Sequence, residues 1–176
     1  MILLRAIGPV THRLMSMEQW RAESELACLV QPKTYVATGN MVVEAAMELA
    51  EVEARTDGIL RGFGLPAGVT AVVRRPVDIA GLIAGNPFVD ESRTRPSQVA
   101  VFLAKGAGEF SWVQEWQGEE RVHVVDDRQL IVDYPMEVSK SRLSPGLIER
   151  RSKTVLTARN WNTIVALNQR ALERPN

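Results

Sequence analysis

A single cysteine, Cys28, in 176 residues excludes an internal disulfide framework and a cysteine metal cluster. A lone thiol suits a reducing compartment. No sign of charge predominates: Lys+Arg and Asp+Glu are equal at 21 each, so the basic excess of a dedicated non-specific nucleic-acid binder is missing. Only a local basic patch would fit that balance. Aromatic residues make up 6% of the chain, which leaves few platforms for stacking bases. There are two histidines, His12 and His123, and neither has a second ligand at metal spacing, so no metal and no cofactor are expected. No run approaches the roughly 20 apolar residues of a membrane span. The first residues, Met1-Ile2-Leu3-Leu4-Arg5, carry neither the basic region nor the apolar stretch of a signal peptide. A cytoplasmic protein with no membrane partner is the expectation.

What is present is an ordinary globular composition, 45% hydrophobic and 24% charged, enough for a sizeable core. Residues 2–7 read as a strand that Gly8 and Pro9 break. Ser16 with Gln19 has the form of a capping box, opening a helix over Met17–Val30 that Pro32 ends. Lys33–Thr38 and Met41–Glu44 read as strands joined at Gly39-Asn40. A long helical pattern follows over Ala46–Phe63, then a strand over Val69–Arg74. Pro76 opens a short helix to Ile83, and 86–96 reads as a connection.

In the second half, Gln98–Ala104 is a strand and Glu109–Trp116 a short helix. Arg121–Val125 and Leu130–Tyr134 are strands across Asp126-Asp127. Ser144-Pro145 marks a helix start running to about Arg151. Thr154–Leu156 adds an edge strand, and a helix closes the chain over about Asn160–Leu172. The order predicts an α+β protein of two ferredoxin-like βαββαβ halves packed into one compact unit: 1–88, a connection at 89–97, and 98–176. The halves show no repeat in sequence.

Few motifs survive a physical test. Gly62-Phe-Gly64-Leu-Pro-Ala67 has the letters of a dinucleotide loop, yet it follows a helix and precedes a strand, which makes it a helix C-cap. Lys105-Gly106-Ala107-Gly108 has the right order but lacks the rest of a phosphate loop, and a turn is the preferred reading. Cys28 reads as a small packing residue within a helix. Glu119-Glu120 and Asp126-Asp127 read as turn or solvated carboxylates, and Arg74-Arg75 and Arg150-Arg151 as solvated cations. The segment Arg159-Asn160-Trp161-Asn162-Thr163 keeps two readings. Asn160 or Thr157 caps a helix while Trp161 packs inward, or the arginine and the helix N–H groups hold an anion.

Several of these pieces, in order, carry a resemblance to a known family. Leu4-Arg5, Thr34-Tyr35 with Thr38-Gly39-Asn40, Asn86-Pro87-Phe88, Tyr134-Pro135, Ser141-Arg142-Leu143-Ser144 and Thr157–Thr163 resemble the markers of a bacterial family catalogued as domain of unknown function 1697. The resemblance implies an α+β fold of ferredoxin-like halves and no assigned reaction. The chain departs from that pattern at Ala6-Ile7-Gly8-Pro9, where a glycine pair is missing, at Met136-Glu137-Val138, where a glycine-bearing loop is expected, and at Arg142, which replaces a lysine.

The polar residues at strand ends, turns and helix starts form the candidate ligand-binding set: Arg5, Tyr35, Asn40, Tyr134, Ser141, Arg142, Arg159, Asn160 and Asn162. The first expectation is an anionic or phosphate-bearing small molecule as ligand, bound with or without catalysis. Arg159 and Arg142 would hold the anion and Asn40 and Asn162 would orient it. RNA or single-stranded nucleic acid, stacked on Tyr35 and Tyr134, is the alternative partner. A structural homodimeric module, with the polar string serving only as caps, is the third reading.

Overall fold

A computed structural model describes residues 1–173. The chain divides into two compact units, one formed by Met1–Asp78 with residues 167–173, the other by Ile79–Ala166. Each unit holds one four-stranded antiparallel sheet. The chain is therefore α+β. Among the described residues no helix is long and apolar enough to cross a membrane.

In the first unit, β1 (Ile2–Leu4) is followed by α1 (Pro9–Leu14), α2 (Met17–Leu26), β2 (Val30–Tyr35), β3 (Asn40–Glu44), α3 (Leu49–Gly62) and β4 (Ala71–Val73). The sheet order is β2-β3-β1-β4. Alternation along the strands sends Ile2, Leu4, Met41, Ala71 and Val73 to one face, where Trp20 of α2 and Val52 and Leu60 of α3 complete a buried cluster. The Ser16–Gln19 box is closed in both directions, with Gln19 N donating to Ser16 Oγ at 3.1 Å and Ser16 N to Gln19 Oε1 at 2.9 Å.

Proline was expected to break structure twice here, and both readings are corrected. Pro9 occupies the first turn of α1, where its missing N–H costs nothing, and the first strand stops earlier than expected, at Leu4. Pro32 lies inside β2, on the sheet's edge, at a register irregularity between Val30 and Lys33. An edge strand tolerates a residue that cannot donate. Helix α2 stops at Leu26, short of the expected Val30, and Leu26 and Val30 are 78% and 50% exposed.

The hairpin between β2 and β3 turns over residues 36–39 rather than at Gly39-Asn40. Gly39 has φ +74°, and a Cβ there would meet Leu4 Cβ at 2.7 Å, so glycine is required on both counts. The Gly62–Gly64 stretch is a helix end as expected. Gly64 N donates to Arg61 O and Leu65 N to Leu60 O, with Gly64 at φ +74°.

After α4 (Pro76–Ala84), the second unit contains α5 (Val89–Thr94), β5 (Val99–Ala104), a 3-10 turn (Ser111–Glu115), β6 (Arg121–Asp126), β7 (Gln129–Asp133), a second 3-10 turn (Val138–Lys140), α6 (Pro145–Ser152) and β8 (Leu156–Asn160). The final helix, α7 (Trp161–Leu172), crosses the boundary back into the first unit. The sheet order is β6-β7-β5-β8. Ala100, Phe102, Leu130, Val132 and Tyr134 face a core closed by Phe110, Trp112, Leu143 and Ile148.

The expected connection thus contains a helix. Asn86 makes it possible: its Oδ1 accepts from Phe88 N at 3.0 Å while its Nδ2 donates to Ser92 Oγ at 2.7 Å. The helix expected over Glu109–Trp116 is only a 3-10 turn. The last strand continues to Asn160, well past the expected Leu156.

Candidate functional site

The strongest concentration of expected site residues lies in the second unit. Tyr134 continues the inward-facing row of Leu130 and Val132 and is fully buried. Its hydroxyl donates to Leu143 O at 3.0 Å, tying the 141–144 segment to the sheet. Burial, with the Glu120 charge nearby, pushes its ionisation well above the ordinary tyrosine range.

Ser141 Oγ accepts from Leu143 N at 2.9 Å and donates to the Glu120 carboxylate. Glu120 is 8% exposed. Burial alone would raise its pKa, but the Ser141 hydroxyl and the nearby backbone amides of Glu120 and Leu143 outweigh it and hold the carboxyl below the usual range. The group is ionised at neutral pH and already satisfied. The expectation of a solvated Glu120 is corrected accordingly.

Beside this carboxylate is an open cleft of about 480 Å³ lined by Trp116, Gln117, Gly118, Arg142 and Leu147. The Trp116 ring stands edge-on to Trp112, with centroids 6.5 Å apart and planes at 88°. Trp112 Nε1 donates to the buried Ser152 Oγ at 3.2 Å, which fixes the pair against α6. The Arg151 guanidinium lies 5.8 Å from the Trp112 ring centre and 5.5 Å from that of Trp116. A Cβ on Gly118 would come within 2.4 Å of both Glu120 Oε2 and Trp116 Cζ2, so only glycine lets the loop close over the carboxylate. Arg142 is exposed, and among the described residues it has no ion pair or hydrogen bond. It is a free guanidinium on the wall of a half-apolar cleft.

Three of the nine expected residues, Tyr134, Ser141 and Arg142, are therefore grouped in one place. The others have separate positions. Arg159 is opposite Val101 in the β5–β8 ladder, on the sheet face away from Phe102 and Tyr134. Its Nη1 donates to Thr157 Oγ1 and Ala158 O, each at 2.8 Å, and burial pushes its pKa down to about 10. The sheet separates it from Arg142, so the two arginines do not grip one anion together. Asn160 Oδ1 accepts from Thr163 N at 3.0 Å and caps α7, Trp161 is buried, and Asn162 is exposed.

In the first unit, Arg5 Nη1 donates to Gly68 O at 2.7 Å. Asn40 is fully buried and its Nδ2 donates to Tyr35 O and Thr38 Oγ1, holding the hairpin closed. Tyr35 lies under the Arg170 guanidinium, 4.6 Å from ring centre to Cζ.

Two further expectations change. Cys28 is exposed and sits past the end of α2 at φ +63°, so it is not a packing residue. Arg74 is 4% exposed and its Nη1 donates to Val73 O, so it is not a solvated cation. Trp116, Gln117, Gly118, Glu120 and Arg151 were not among the expected site residues. The spacing of Trp112 and Trp116, followed by a glycine, was the available signal. Among the described residues no group of three or more His, Cys, Asp or Glu is placed to hold a metal ion.

The chain is similar in fold to the structure of conserved bacterial protein SP0830 from Streptococcus pneumoniae, over 98% of this chain and 97% of that one, with a TM-score of 0.74 and 16% identity. No curated protein matches it. Residues 1–130, well over half of the chain, match the family described as Protein of unknown function (DUF1697), and the chain belongs to that family.

Proposed function

We propose that the cleft beside Glu120 binds a small organic anion, carboxylate- or phosphate-bearing, with Arg142 as its charge contact. The observation that carries this reading is the contrast between the two charges at the cleft. Glu120 is buried and hydrogen-bonded, whereas Arg142 is exposed and unpartnered on the wall. A guanidinium with no acid of its own is suited to a carboxylate or phosphate, which it can grip through two N–H groups. Trp116 and Leu147 supply apolar surface for the ligand's body, and Gln117 supplies an amide for its polar edge.

Nucleic-acid stacking is less well supported. Tyr134 is buried with its hydroxyl engaged, and Tyr35 lies under Arg170, so neither offers a free face to a base. We further infer that each unit is a ferredoxin-like βαββαβ half. In support, both sheets repeat one order, second-third-first-fourth, with antiparallel neighbours throughout.

The test is a titration with phenyl phosphate and benzoate followed by the Trp116 indole N–H resonance, assigned through Trp116→Phe. Saturable shifts are expected, with affinity falling about tenfold or more in Arg142→Ala, the loss of one charge-assisted contact. Unchanged affinity in Arg142→Ala would sink the reading.

A further inference from the structure

The first unit has a separate pocket of about 160 Å³ that the organic-anion reading does not use, lined by Lys33, Thr34, Val42, Arg170 and Glu173. Its placement follows from strand alternation. Lys33 is paired across the ladder with Val42, and Tyr35 is two residues on from Lys33, so these three side chains share one face of the sheet. Thr34 points the other way, where its Oγ1 accepts from Arg21 Nη1 at 2.7 Å. Helix α7 brings Arg170 onto the Lys33 face, and the guanidinium is seated on the Tyr35 ring at 4.6 Å. An aromatic seat restricts where an arginine can point without neutralising it.

The charges around this pocket do not cancel one another. Among the described residues, Lys33 and Arg170 have no carboxylate within ion-pair distance, and Glu173, the one acid on the lining, has no cation. At roughly 30 Å³ per water, the space holds about five waters. It fits a tetrahedral oxyanion.

We propose that this pocket is a second anion site, taking a phosphate group between Lys33 and Arg170, with Tyr35 as the residue that positions Arg170. The phosphate is either a free ion or the terminal group of a larger molecule whose remainder stays in solvent.

The experiment is a two-dimensional NMR titration of the full chain with inorganic phosphate, and in a second arm with phenyl phosphate, at ionic strength held constant with chloride. Saturable shifts at the Lys33 and Val42 amides and the Arg170 Nε–H are expected. Lys33→Ala and Arg170→Ala should each weaken binding about tenfold, the loss of one charge-assisted contact. Tyr35→Leu keeps both charges, and a several-fold loss there would mark positioning. Glu173→Gln removes the repelling carboxylate and should tighten binding, and Arg142→Ala should leave it unchanged.

Response to inorganic phosphate alone identifies the free ion, and an equal response to phenyl phosphate identifies a terminal phosphoryl group. Shifts that fail to saturate, or equal affinity in Arg170→Ala, would overturn the proposal. Lys33 is exposed, so its alanine variant tests the site without endangering the fold.

Discussion

Arg121 is directly opposite Asp133 in the β6–β7 ladder, and its Nε donates to Asp133 Oδ2 at 2.9 Å. Arg95 reaches the same carboxylate from the end of α5, with Nη2 2.6 Å from Oδ1. Asp133 is 3% exposed and is held by two cations, while Arg121 also bonds Glu91 and lies 5.0 Å over the Phe88 ring. The hydrogen bond to Asp133, then that to Glu91, holds the Arg121 guanidinium protonated above its ordinary range. One acid thus fastens α5 and the edge strand β6 to the sheet.

Removing that acid should be costly. Asp133→Ala leaves two guanidinium groups without their shared anion. Breaking a buried pair costs about 3–5 kcal/mol. Since Arg121 and Arg95 are 53% and 31% exposed and can recover water, a loss of about 2–3 kcal/mol in urea unfolding is expected. A loss below about 1 kcal/mol would mean that the apolar contacts of α5 hold it in place unaided.

Glu120 makes stability pH-dependent in a definite direction. Its folded pKa is below the reference value of 4.5. The unfolded chain therefore binds its proton first as pH falls, and the contribution is complete above the unfolded pKa and lost as pH drops through the folded one. Glu120→Gln should flatten the acid limb of the melting-temperature profile below about pH 5 and leave its neutral plateau with the same shape. An acid limb as steep in the variant as in the parent would assign that limb to other carboxylates.

Two glycines give a contrast in the same region. Gly118→Ala places a methyl group 2.4 Å from Glu120 Oε2 and from the Trp116 ring, where both partners are fixed. A loss of about 1–3 kcal/mol is expected, the usual range for overpacking, together with a changed Trp116 environment in near-ultraviolet circular dichroism. Gly146→Ala, in the first turn of α6, meets nothing within 4 Å. It should be neutral or stabilise the chain by up to about 1 kcal/mol through helix propensity.

How far the sequence could be read depended on how local each signal was. The Ser16–Gln19 box, the Ser144-Pro145 start and the glycine end of α3 each need only neighbouring residues, and all are found. Pro9 and Pro32 were misread because a proline's meaning depends on whether its missing N–H has a partner to lose, and an edge position is a tertiary fact. The same limit applies at the cleft. Glu119 and Glu120 are adjacent and alike, yet Glu119 is exposed while Glu120 turns inward to Ser141, more than twenty residues away in sequence. Arg159 was drawn to the helix N-terminus by its neighbours, whereas the strand continues through it and its ladder partner Val101 decides which face it occupies.

The Asn160 cap and the Arg142 cleft assign opposite consequences to two of the expected site residues, and a paired substitution separates them. Asn160→Ala removes the Oδ1 acceptor for Thr163 N at the start of α7. Loss of such a cap costs about 1 kcal/mol, which in a chain of this length lowers the melting temperature by about 3 °C. Its affinity for phenyl phosphate at the cleft, followed by the Trp116 indole N–H resonance, should match the parent's. Arg142→Ala, exposed and unpartnered, should keep the parent's melting temperature and bind at the cleft about tenfold or more weakly by the same indole signal, with the Lys33–Arg170 pocket unaffected. The reverse pattern, a stable Asn160→Ala that no longer binds, would return the ligand to the Arg159-Asn160 segment and make Arg142 a solvated charge.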